Sequence, residues 1–357
     1  MTETPKPKPI KYTYFIGIDI SKNELDFAVM KNKTLLFHRE IVNGTDAIRA
    51  LLKEISALPQ FKFKQAIFCM EQTGLYGNYL LKALCTKRTN VVVENALAIK
   101  KTLGLTRGKN DKADAIRIAG YAQKNSHELK FWSQKRDAVV TLMHLYSLRI
   151  RLVATDVALK TPLTDQLGFE KKGLQTQMAT ACKGSLEAIR ADLAGVDSAI
   201  SATLNADPGL KILNEIITSV PGIGPVTATQ IILSTNEFKD IRNPKKFACY
   251  AGIAPFKNES GMSIGPARVS HIANKRMKSL LHVCAVRAIR CNEELRIYYE
   301  RKTKTEGKHK MLVLNAVRYK LVLRIFACIN QNRLYRKDYV RSQTNVNQGN
   351  GIEKPQN

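Results

Sequence analysis

Acidic residues are scarce in this chain of 357 residues: 30 Asp and Glu face 57 Lys and Arg, leaving a net charge of +27 and a pI of about 9.8. Such an excess repels itself in isolation and is relieved by a polyanion. Nucleic acid is therefore the first partner the composition points to, and an anionic membrane surface the second. No basic amphipathic helix with a clean apolar face stands out, which favours nucleic acid. The seven cysteines (Cys69, Cys85, Cys182, Cys249, Cys284, Cys291, Cys328) are scattered, and none forms a CxxC pair. That argues against a zinc ribbon and for reduced, mostly buried thiols. No unbroken apolar run approaches the roughly 18–20 residues that cross a bilayer, so no membrane span is expected. The opening MTETPKPKPIK lacks the apolar segment of a secretory signal, and a cytoplasmic location is expected. No GxxxxGK[ST] loop is present, so nothing points to cleavage of a nucleoside triphosphate. The chain does hold 44% hydrophobic residues, enough for real cores, and length for two or three domains.

Apolar periodicity divides it. YFIGIDIS (14–21), ELDFAVM (24–30) and TLLFHR (34–39) read as three strands joined by the short polar turns SKN and KNK. NGTDAIRALLKEISAL then reads as an amphipathic helix with Ile48, Leu51, Leu52 and Ile55 on one face. QAIFCME (65–71) and NVVVEN (90–95) are further strands, and GLYGNYLLKALCTK and DKADAIRIAGYAQKN (111–125) further helices. A three-strand meander followed by alternating helix and strand implies a mixed α/β sheet over 13–130, after a basic disordered arm at 1–12. Over 131–210 strand alternation vanishes. Leu186, Ile189, Leu193, Val196 and Ile200 step 3-4-3-4, a heptad seam that fits either a dimer-forming coiled coil or a helical hairpin packed on itself. Residues 211–335 form a third, mostly helical unit, and 336–357 a polar tail. Residues 211–345 carry 25 Lys and Arg against 9 Asp and Glu.

The few carboxylates are placed tellingly. Asp19 interrupts an apolar strand, which costs free energy unless a partner or cation offsets it. Glu71 ends another strand. Asp111 and Asp114, three apart at a helix start, share a face. If the strands of Asp19 and Glu71 are neighbours, all four carboxylates converge. They would then repel one another unless a cation sat between them, and oxygen-only ligands favour Mg²⁺ or Mn²⁺. The plainer reading of Asp111 is an acid favoured by the helix dipole.

YFIGIDISKNELDFAV, CMEQTGLYG and LTRGKNDKADAIRIAGYA together resemble the N-terminal domain of the DEDD-type transposases of bacterial insertion sequences. That group is related to the pilin-gene inversion recombinase and includes members guided by a bridge RNA. The resemblance implies a RuvC-like, ribonuclease-H-like fold over 13–130 and assigns the family's four acidic positions to Asp19, Glu71, Asp111 and Asp114. It covers roughly residues 14–330.

In the third unit, VPGIGPVTATQII resembles a helix–hairpin–helix turn, in which Gly222 and Gly224 would let backbone amides approach a phosphate; a tight turn between helices is the plainer reading. NPKKFACYAGIAPFKNESGMSIGPARVSHIANKRMKSLL is similar to the C-terminal domain of the same transposases, where a serine is the nucleophile. The matching residue is Ser260, with Ser263 close by, in a loop rich in Gly, Asn and Ser. Either His271 or a group at the metal centre would take its proton. Lys245, Lys246, Arg268, Lys275 and Arg276 cluster around it in sequence as nucleic-acid contacts. Ala273-Asn274 stands where many relatives carry Gly-Asn, so a positive φ is not required there. The resemblance implies a transposase that cuts and rejoins DNA through a phosphoserine link, with element-end and target DNA, a guide RNA and a homo-oligomer as partners. A junction nuclease without serine chemistry, or a non-catalytic nucleic-acid scaffold, are the alternatives.

Overall fold

Alternation along Tyr14–Ile20 (β1) organises the first unit. Tyr14, Ile16, Ile18 and Ile20 enter one core, while Phe15 enters another on the opposite face, where Gly17 and Asp19 also point. β1 pairs antiparallel with Glu24–Lys31 (β2), which pairs antiparallel with Thr34–Val42 (β3). On its other side β1 pairs in parallel with Ala66–Glu71 (β4), and β4 in parallel with Asn90–Glu94 (β5). The five-stranded order β3-β2-β1-β4-β5 is the ribonuclease-H-like sheet, so the predicted fold and all its strands are found. The computed structural model describes residues 11–103, 110–165, 168–260, 263–270 and 272–337, and the chain splits into two units, 1–134 and 135–357. Residues 1–10 of the arm expected at 1–12, most of the TRGKN lead-in, His271 and residues 338–357 of the tail expected at 336–357 lie outside the described residues.

Helices cover both sheet faces. Thr45–Ser56 (α1) buries Ile48, Leu51, Leu52 and Ile55, and Asn78–Thr86 (α2) buries Leu80 and Leu84, against the Ile16–Ile18 face. After Ala96–Leu103 (α3), Asp111–Lys124 (α4) covers the other face through Ala115, Ile118, Ala119 and Ala122.

In the second unit, Asp137–Asp165 (α5) and Lys172–Ala206 (α6) pack along each other, tied by an Arg149–Asp197 ion pair of 2.6 Å. Within the chain the heptad seam therefore serves a helical hairpin. Among the described residues α5 is long and apolar enough to cross a bilayer by length and composition, although it holds no unbroken apolar run of that length. Its apolar residues are interspersed with polar ones, and Arg149 pairs with the neighbouring helix.

Pro208–Thr218 (α7), Pro225–Thr235 (α8), Pro244–Tyr250 (α9), Lys275–Cys291 (α10) and Glu293–Glu300 (α11) surround Lys310–Asn330 (α12). α12 buries Leu314, Val317, Leu321, Val322, Ile325 and Phe326 in one core with α7–α10. Around Ser260, where a loop was expected, Pro255–Ser260 (β6) and Ser263–Val269 (β7) pair as antiparallel strands.

Candidate active site

Three parallel strands end on carboxylates. Asp19 is the penultimate residue of β1, Glu71 the last of β4 and Glu94 the last of β5. Asp26 of antiparallel β2 stands opposite Asp19 in register, and Glu94 opposite Glu71. Because side chains alternate along a strand, Asp26, Asp19, Glu71 and Glu94 form a row on the face that α4 covers. α4 adds Asp111 and Asp114 from its first turn. Asn110 caps that turn by accepting a hydrogen bond from the Lys112 amide at 2.9 Å.

The docking of α4 explains how helix and strand acids meet. A Cβ on Gly17 would lie 2.1 Å from the Ala115 carbonyl oxygen and 2.2 Å from the Ala119 amide nitrogen. Only glycine, facing two alanines, lets the helix backbone lie directly on β1. Carboxylate oxygens of Asp19, Asp111 and Asp114 thereby come within 4.8 Å of one another. Glu71 stands outside that group, but its charge reaches Asp19.

Burial pushes the Asp19 carboxyl above the ordinary carboxylate range. The Ile20 amide, donating to Asp19 Oδ1 at 3.0 Å, pulls it back, and the charges of Glu71, Asp114 and Asp111 raise it. Oxygen donors gathered against their own repulsion fit a hard divalent cation. Arg117 offsets part of that repulsion through a 2.7 Å bond to Asp114. The neighbouring acids are held separately. Asp26 is buried against His38 Nε2 at 2.7 Å, and Glu94 accepts from the Tyr121 hydroxyl at 3.1 Å. Sequence reasoning missed Gly17, Asp26, Glu94 and Arg117. NVVVEN, ending on an acid as QAIFCME does, carried the signal for Glu94.

The remaining site residues lie in the second unit. Ser260 closes β6 and pairs in register with Ser263, the first residue of β7, so the two serines stand opposite each other at the end of the ladder. Lys245 and Lys246 are exposed at the start of α9, and Arg268 on β7 and Lys275 at the start of α10 are exposed as well. Arg276 is instead half-buried, with its guanidinium 5.4 Å from the centre of the Tyr146 ring. Gly222, at φ +91°, presses against α10, where a Cβ would meet Ala288 and the Cys284 carbonyl, so helix packing accounts for this glycine. Gly224, the N-cap of α8, has open space beside it. Asn274 has φ −71° and caps α10 by accepting from the Met277 amide. Ala273 is not among the residues with positive φ, as expected for a position that needs no glycine.

A ribonuclease-H-like sheet whose central strands deliver acids to the end of a covering helix defines a site for divalent-metal chemistry. Two family models match this chain. The DEDD-type model of the IS110 group, described as "Transposase", matches residues 16–169, and "Transposase IS116/IS110/IS902 family" matches residues 214–300. Similar proteins include the "Pilin gene-inverting protein" of Moraxella bovis, 25% identical over 90% of this chain and 98% of that one. Another is the "Insertion element IS110 uncharacterized 43.6 kDa protein" of Streptomyces coelicolor, 26% identical over 42% of this chain and 36% of that one. Among solved structures, "T. thermophilus RuvC in complex with Holliday junction substrate" aligns with 34% of this chain and 100% of its own at 13% identity and a TM-score of 0.27. The two models together match more than half of the chain, which belongs to the DEDD-type transposases of the IS110/IS116 insertion sequences and is a DNA transposase/recombinase.

Proposed function

We propose that this transposase exchanges DNA strands through a phosphoserine intermediate on Ser260, and that Asp19, Glu71, Asp111 and Asp114 hold the Mg²⁺ or Mn²⁺ the reaction needs. The observation carrying the reading is the approach of Asp19, Asp111 and Asp114 oxygens to within 4.8 Å of one another. A divalent ion bound there neutralises charge that develops on the scissile phosphate. The Ser260 hydroxyl loses its proton to a nearby base, and its oxygen bonds to phosphorus. The bond from phosphorus to the 3′ oxygen breaks, and that oxygen leaves as a free 3′-hydroxyl once protonated. A 3′-hydroxyl from the second duplex then attacks the phosphoserine, restoring a phosphodiester and freeing Ser260. Bond energy is conserved throughout, which suits a chain without a triphosphate-binding loop.

Gly222, Gly224, Lys245, Lys246, Arg268, Lys275 and Arg276 are assigned to DNA and RNA contact, directly or, for Gly222 and Arg276, by shaping the contacting surface. A guide RNA selecting the DNA partner and a homo-oligomer with sites composed from two copies complete the reading, both supported by resemblance to the family. A DNA substrate puts the place of work in the cytoplasm.

The test is incubation of purified protein with element-end DNA and Mg²⁺, followed by boiling in detergent. A covalent protein–DNA adduct is expected, lost in Ser260→Ala and in Asp19→Ala. Cutting that survives Ser260→Ala would overturn the serine step, and binding without cutting would overturn catalysis at these carboxylates.

A further inference from the structure

α1 and α2 lie on the sheet face opposite the carboxylates and leave between them a groove of about 640 Å³. Leu52 and Ala83 give it apolar character, and the exposed Tyr79 ring stands at its side. Its charged lining residues are Arg49, Lys53, Lys82 and Lys87, all cations. Arg49 bonds the exposed Asp46 at 3.2 Å, whereas Lys53, Lys82 and Lys87 have no ion pair among the described residues. Thr45, Ser56 and Thr86 contribute hydroxyls.

Cations around an apolar floor, with an aromatic ring beside it, match the demands of an unpaired nucleic-acid strand: phosphates on the ammonium groups and a base against the ring. The volume falls in the range of small-ligand pockets, so the groove takes unpaired nucleotides and not a duplex. The segment bound here differs from the phosphodiester at the carboxylates, because the sheet lies between the two places. Breaking and rejoining DNA strands generates such unpaired DNA. We propose that the α1–α2 groove is a binding site for single-stranded DNA, separate from the catalytic centre. This rests on the family's DNA activity and not on the serine step.

The test uses the full-length protein in EDTA, so that no cleavage enters, with anisotropy of a labelled oligothymidylate read across a salt series. Replacing Lys53, Lys82 and Lys87 together by Gln is expected to weaken binding about tenfold and to lower the salt slope by about 2, at roughly 0.7 per lost phosphate contact. Tyr79→Ala, at an exposed position, is expected to weaken binding about fivefold without changing that slope. Photo-crosslinking of a 5-iodouracil oligonucleotide to the wild-type protein should label the peptide carrying Tyr79, whatever the folding of the variants. Unchanged affinity and slope in the triple variant, or adducts mapped only to residues after 134, would overturn the site. Tighter binding of the matching RNA, with the larger loss in the variant, would overturn DNA as the occupant. If Asp19→Asn loses all cutting but keeps this binding, the groove and the catalytic reading stand apart as proposed.

Discussion

Gly17 carries more of the site than any carboxylate does, because it sets the distance between β1 and α4. A methyl group at this position has backbone on its far side, not a flexible side chain that can move away. Gly17→Ala is therefore expected to destabilise the first unit by about 3 kcal/mol, at the upper end for overpacking, and to abolish the thermal shift expected from the divalent ion proposed for this site. Differential scanning fluorimetry with and without the ion reads both effects. Asp19 behaves in the opposite sense. Its carboxyl is raised in the folded chain, so the folded state binds protons more readily than the unfolded one and stability falls as pH rises from the ordinary Asp value through the raised one. Above that window the cost is fully present. Asp19→Asn in EDTA at pH 7 should therefore melt higher than the wild type, and the difference should shrink on acidification below the ordinary Asp value. A lower melting point for the variant at pH 7 would refute the placement of Asp19 among its acidic neighbours.

At the level of elements, α4 presents its acids from a capped first turn. Asn110→Ala removes the side-chain acceptor for the Lys112 amide and is expected to cost about 1 kcal/mol. It should weaken Mg²⁺ binding by calorimetry more than it lowers the melting point, since fraying displaces Asp111 and Asp114 first. The strands and helices of the first unit were legible because its central strands are buried on both faces and read as short apolar runs between polar turns, whereas α1 buries a single face. The run in YFIGIDIS and the 3-4 spacing of Ile48, Leu51, Leu52 and Ile55 have one physical solution each. Asp19 was legible because a charge inside an apolar strand is costly, whereas Asp111 and Asp114, ordinary acids for a helix start, joined it through the family resemblance. Glu94 and Asp26 escaped notice because their convergence depends on strand register, which composition does not encode. The β6–β7 pairing was hidden by its Gly, Asn and Ser content, which turns and short strands share. The hairpin of α5 and α6 could not be told from a dimer seam, since the same heptad spacing serves either partner.

For the molecule as a whole, the cores are separate. Buried apolar residues up to Val92, Ala119 and Ala122 belong to the two sheet faces, while the core of α7–α10 and α12 starts at Val139. Leu321→Ala, at a fully buried position, is expected to lower one calorimetric transition by about 2–5 kcal/mol and leave the other in place. A single merged transition shifted as a block would contradict that independence. The net charge of +27 implies that nonspecific DNA affinity falls steeply and linearly on a log–log salt plot. The contact between α4 and β1 has a further consequence. A joint made by leaving side chains out can be jammed by putting one in. Ala119→Leu would act as a wedge, silencing the enzyme with every acid and the serine intact, and so yield an inert recombinase still able to grip its DNA.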